Sequence, residues 1–116
     1  MNGNPTAAQK RLHKWTREQG CIVNSSENPA LHHIAGAKAN LKGVGGFGEW
    51  YVIPVCYWWH QDGNNENAIH VNKKRFSKTL GMTEKDYWLE HMQNYRRQFG
   101  FYPMSDSEYQ TMADRA

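Results

Sequence analysis

Apolar positions recur along the chain in two rhythms, and the rhythm changes wherever turn residues intervene. Between Thr6 and Gln19, Ala8, Leu12 and Trp15 fall on one stripe while Lys10, Arg11, Lys14 and Arg17 fall on another. That spacing predicts an amphipathic helix over 6–19, with Gly20 as its stop. Cys21-Ile22-Val23 reads as a short β-branched strand piece, and Asn24 to Pro29 as turn chemistry. Strands are predicted over 30–34 and 50–55, with Pro54 marking the second as an edge strand or a strand end. Between them, residues 35–48 make a basic, glycine-rich loop carrying Lys38 and Lys42. A loop of that length inside a small domain is expected to be functional or mobile.

The second half reads as helical. A short helix is predicted over 56–61, ended by Asp62-Gly63-Asn64-Asn65, and another over 73–80, closed by Gly81. Thr83 and Asp86 make a capping box that opens a helix running to about Phe99. Its apolar stripe is Tyr87, Trp88, Met92, Tyr95 and Phe99. A last short helix is predicted over 105–115.

Composition narrows the class. The 116 residues are one domain's worth of chain, 39% hydrophobic, with a mean hydropathy of −0.88 and 13% aromatic residues. The core is therefore expected to be thin and built largely of rings. No apolar run approaches the ~20 residues of a membrane span, and Met1 to Gln9 is too polar for a secretory leader. Cys21 and Cys56 are too few for a disulfide framework, so a cytosolic setting is expected. The formal net charge is only +3, yet it is unevenly spread. Residues 1–83 hold ten basic and five acidic side chains, whereas residues 84–116 hold four and six. The basic residues group as Lys10, Arg11, Lys14 and Arg17, then Lys38 and Lys42, then Lys73, Lys74, Arg75 and Lys78. Such groups suit phosphate contacts and equally suit a solvated face.

The histidines carry the chemistry. His32 and His33 adjoin on the first strand, His60 follows the second strand, and His70 comes ten positions later. Neutral imidazole is the commonest protein ligand for zinc and suits nickel and iron. Three imidazoles with one open position make a catalytic site, whereas four closed ligands make a structural one. Three separated histidine elements plus a spare imidazole are the count for a ligand set and a general base. His13 and His91, each alone on a helix, read as surface or packing residues. Strand alternation points His32 and His33 to opposite faces, so serving one phosphate together requires the strand to end or twist there.

The ordered blocks Gly20-Cys21-Ile22-Val23, Leu31-His32-His33-Ile34, Ile53-Pro54-Val55-Cys56 ending at His60, and Ala68-Ile69-His70 with Lys73, Lys74 and Phe76 resemble the HNH (ββα-metal) endonucleases. More narrowly, they resemble the phage recombination enhancement function (Ref) family of RecA-dependent nucleases. The resemblance covers roughly residues 15–82. It implies a single HNH-like domain over 1–116, of α+β class, with a ββα-metal core over about 20–82 and flanking helices. It also implies phosphodiester hydrolysis of DNA. His33 corresponds to the general base, and His32, His60 and His70 to the ligands of one divalent ion (Mg²⁺, Mn²⁺, Zn²⁺ or Ni²⁺). DNA contacts are expected mainly at phosphates, through Lys38, Lys42, Lys73, Lys74, Arg75 and Lys78, with little sequence preference. Phage origin, a host bacterial cytoplasm, a part in recombination and a RecA-type filament as partner come with the resemblance alone.

Two departures accompany it. The Asn or His at the middle of the family pattern corresponds here to about Tyr51. Relatives often hold a structural zinc on one Cys-x-x-Cys and a second Cys-x-x-Cys or Cys-x-x-His, whereas this chain has Cys21-x-x-Asn24 and Cys56-x-x-Trp59. Two cysteines cannot close a tetrahedral shell, so no structural zinc is expected. Cys21 and Cys56 are expected to lie buried near each other, with Tyr57, Trp58 and Trp59 packing in place of the metal. These losses motivate an alternative, a catalytically degenerate HNH-like module that binds DNA or a host protein.

Overall fold

Helix-capping signals are local, and they place helix ends close to where the sequence predicts them. The computed structural model describes residues 5–34 and 47–115. In chain order the elements are α1 (Ala7–Glu18), β1 (Ala30–His33), a 3₁₀ turn (Phe47–Trp50), β2 (Val52–Val55), α2 (Tyr57–His60), α3 (Lys73–Leu80), α4 (Glu84–Phe99) and α5 (Asp106–Arg115). Thr6 caps α1 reciprocally with Gln9, each side chain taking the other's backbone N–H at 3.1 and 2.8 Å. Thr83 and Asp86 do the same for α4, and Asn72 caps α3 through the Arg75 N–H at 3.1 Å. Gly81 and Gly100 close α3 and α4 in the left-handed conformation, with φ of 73° and 85°.

β1 and β2 pair antiparallel, in the register Ala30–Val55, Leu31–Pro54, His32–Ile53 and His33–Val52. Pro54 is tolerated because both strands of a two-stranded sheet are edges. Its carbonyl, facing away from β1, accepts the Ile22 N–H at 2.8 Å. All four residues of β2 are buried, with α1 and α4 packed against the strand. The core is ring-rich, as the composition predicts: Trp15, Trp50, Tyr51, Phe76, Tyr87 and Trp88 are among its buried members, with Leu12, Ile53, Val55, Met92 and Met112. The Trp88 indole N–H is satisfied by the Trp50 carbonyl at 2.9 Å. Tyr51 is a packing residue. It lies against Trp88, and its hydroxyl donates to the Met112 carbonyl of α5 at 2.8 Å. The fold is thus α+β, as expected.

Three local expectations need correction. Cys21-Ile22-Val23 is a turn rather than a strand: Cys21 N–H donates to Ser26 O, Ser25 N–H donates back to Cys21 O, and Ser25 sits at φ 64°. Gly20 does not cap α1 in the left-handed conformation, a role taken by extended Gln19. A Cβ on Gly20 would stand 2.7 Å from the Ser25 carbonyl oxygen, so close backbone approach requires the glycine. Tyr57 and Trp58 are 59% and 46% exposed and pack in no core. Of the three aromatics only Trp59 packs inward, against Phe76 at 6.1 Å. Cys21 and Cys56 are buried, reduced and adjacent, Cys21 Sγ accepting the Cys56 N–H at 3.1 Å. Burial pushes the Cys21 thiol up. Burial would raise Cys56 too, but hydrogen bonds from the Trp59 backbone and from the side chains of Ser26, Cys21 and Asn24 bring it below the ordinary value. No described helix is long and apolar enough to cross a membrane.

Candidate metal centre

Three segments bring His32, His60 and His70 together. His32 is held by the strand pairing, at the position opposite Ile53. His60 ends α2. The chain then turns back on itself: Asn65 N–H donates to Asp62 O, and the buried Asn65 amide donates to the Trp58 carbonyl at 2.9 Å. That turn returns residues 69 and 70 alongside 59 and 60, with Ile69 N–H on Trp59 O and His70 N–H on His60 O at 2.8 and 2.9 Å. A ten-residue separation in sequence therefore becomes one backbone hydrogen bond.

The ring centroids lie 5.0 Å (His32–His60), 5.2 Å (His32–His70) and 4.6 Å (His60–His70) apart. One ring nitrogen of each lies within 4.8 Å of the others. His60 and His70 face each other through Nε2 atoms 3.0 Å apart. A tetrahedral shell with metal–nitrogen bonds of about 2.0–2.1 Å has donor edges of about 3.3–3.4 Å, so this pair needs only a small adjustment to share an ion. Burial, with the neighbouring imidazoles of His32 and His70, lowers His60 to about 4. At neutral pH its ring is uncharged, the form that ligates. His60 Nδ1 is buried with no hydrogen-bond partner among the described residues. The donor set thus fits a borderline divalent ion.

A fourth residue completes the surroundings, and the sequence reading missed it. Glu84, at the first turn of α4, is buried, and its Oε1 lies 2.6 Å from His32 Nε2. A carboxylate on one ring nitrogen fixes the tautomer and aim of a metal-binding imidazole. Its other oxygen, Oε2, is buried without a hydrogen bond among the described residues, although Lys73 Nζ stands 3.3 Å away as an ion pair. The capping box signals the helix start, but nothing in the sequence signals that Glu84 reaches back to β1.

His33 does not join this group. Its side chain meets Glu49 of the 3₁₀ turn, Nε2 to Oε1 at 3.1 Å, and lies edge-on to His13 of α1 at 6.0 Å between centroids. His13 is buried, with its Nε2 2.7 Å from the Glu49 carbonyl and 3.6 Å from Oε1. His13 is therefore more than a packing residue. His91 does pack: it is buried against Trp15 at 4.9 Å and hydrogen-bonded to Thr16 Oγ1 at 2.9 Å.

The basic residues expected on phosphates divide into three groups. Lys38 and Lys42 lie outside the described residues. Lys73 pairs with Glu84, and Arg75 with Glu66 at 3.1 Å. Lys74 and Lys78 are exposed on α3, with no acidic partner among the described residues. Comparison of the chain with family models, curated proteins and solved structures gives no match.

Proposed function

We propose that the protein is a metal-dependent DNA endonuclease of the HNH type, with β1, β2 and α2 as a ββα-metal core. The observation that carries the reading is the convergence of His32, His60 and His70, from three segments, to ring separations of 4.6–5.2 Å. A bound divalent ion would supply Lewis acidity toward the scissile phosphate and its leaving 3′-oxygen. The remaining work falls to side chains of this chain. Glu49 Oε1 holds the Nε2–H of His33, which leaves Nδ1 with its lone pair free to take the proton of an attacking water. Thus Glu49 provides the orientation that Tyr51, committed to Met112, does not. Glu84 fixes the ring of His32 through Nε2. Lys74 and Lys78, exposed and without an acidic partner among the described residues, would neutralise backbone phosphates, a contact that carries no base preference. Phage origin, a role in recombination and action on a RecA-type filament enter this proposal through the resemblance of the motif blocks.

Nicking of supercoiled plasmid tests it, with Mg²⁺, Mn²⁺, Ni²⁺ or Zn²⁺ supplied in turn. Wild type should nick with at least one ion, and His33→Ala should lose about 10²–10⁴-fold in rate while the His32–His60–His70 centre still binds metal. DNA binding without nicking by either protein would overturn the nuclease reading in favour of a binding module. Equal nicking by both would remove His33 from its role.

A further inference from the structure

We infer that His13, His33 and Glu49 form a second divalent-cation site, of the zinc type, separate from the three-histidine group. The three residues come from three elements, α1, β1 and the 3₁₀ turn, yet offer one donor atom each within 4.8 Å of one another. Glu49 Oε1 lies 3.1 Å from His33 Nε2 and 3.6 Å from His13 Nε2. Those separations bracket the edge of about 3.3–3.4 Å expected of a tetrahedral shell with bonds of about 2.0–2.1 Å. Two imidazoles and one carboxylate, with a fourth position open, are a known zinc ligand set and suit borderline ions over Mg²⁺ or Ca²⁺, which prefer all-oxygen shells. The Glu49 carbonyl, 2.7 Å from His13 Nε2, holds that ring in place when no metal is bound. Metal entry would exchange this hydrogen bond for a coordinate bond, the ring proton moving to Nδ1. The site is half open: the His33 and Glu49 side chains are 39% and 28% exposed, whereas that of His13 is 8% exposed.

Binding here does not depend on cleavage. Where the nuclease reading holds, the consequence is specific: an ion on His33 Nε2 leaves the ring proton on Nδ1, the atom that would take a proton from water, so excess zinc inhibits.

Equilibrium dialysis against Zn²⁺ with elemental analysis tests the site. Wild type should hold two ions per chain, and His13→Gln and Glu49→Gln one each. His60→Ala/His70→Ala should also hold one, and this variant combined with His13→Gln none. Far-ultraviolet circular dichroism identifies any variant that fails to fold, and Co²⁺ substitution reports the geometry of the remaining site through its visible bands. One ion on wild type and still one on His13→Gln would overturn the proposal, as would two ions on both His13→Gln and Glu49→Gln. In Mn²⁺-supported nicking assays, micromolar Zn²⁺ should inhibit wild type at least tenfold more strongly than His13→Gln. Two bound ions with no nicking under any condition would sink the nuclease reading and leave the site standing.

Discussion

Glu84 provides the sharpest test of the metal centre, because no motif would have selected it. Replacing it by Gln keeps the shape but removes the negative charge that His32 Nε2 meets at 2.6 Å. The bond is buried on both sides, with side-chain exposure of 6% for each residue. Hydrogen bonds to a charged group contribute about 1.5–3 kcal/mol. Loss of a carboxylate behind a ligating imidazole typically weakens metal binding about 10–100-fold, or about 1.4–2.7 kcal/mol. The two estimates agree, so Glu84→Gln should weaken Zn²⁺ at this centre by at least tenfold. Competition with a chromophoric chelator measures it, in a His13→Gln background so that the second cluster does not contribute. Lys73→Met is the contrast. Its ammonium lies 3.3 Å from Glu84 Oε2 but its side chain is 68% exposed, and exposed pairs are worth only about 0–1 kcal/mol. Affinity in Lys73→Met should therefore change less than about fivefold. If Glu84→Gln bound Zn²⁺ within twofold of its parent while remaining folded, the carboxylate would not orient His32 and the argument for the centre would fail.

Two further predictions concern stability. Burial lowers His91 to about 3, so the folded state resists a proton that the unfolded chain accepts near pH 6.5. Stability is then complete above about pH 6.5 and is lost as pH falls toward 3, by about 3 kcal/mol between pH 6.5 and 4. Urea unfolding of metal-free wild type and His91→Gln at both pH values checks this, and an identical pH dependence in the two would refute it. Gly20→Ala places a methyl 2.7 Å from a backbone oxygen and should cost about 1–3 kcal/mol, read as a lower midpoint in the same urea titration.

Much of the element order was legible because its signals are local. Thr83 with Asp86, Asn72, Gly81 and the stripe over Tyr87, Trp88 and Met92 each act within a few residues of one another. Convergence of His60 and His70 was legible only as an ordered motif; the turn that achieves it depends on the buried Asn65, which composition marks simply as loop. Glu84 and Glu49 were not legible. An acidic residue in the first turn of a helix reads as a solvated partner of the helix dipole, and its reach to a histidine 52 positions away leaves no mark on spacing. The Cys21-Ile22-Val23 piece misled because β-branched content outweighed a turn closed locally on Ser26 and tied to the sheet by a long-range bond to Pro54.

The His-His dipeptide ties these observations together. The two histidines are neighbours on β1, His33 being its last residue. Each has its own acidic partner, Glu84 for His32 and Glu49 for His33. Consequently a one-residue register slip of β1 against β2 would exchange the two faces and separate both histidines from their carboxylates at once. The pairing of His32 with Ile53 and His33 with Val52 is therefore as much a determinant of the site as the histidines themselves. Burial of all four β2 residues opposes that slip, since each would have to leave its place in the core.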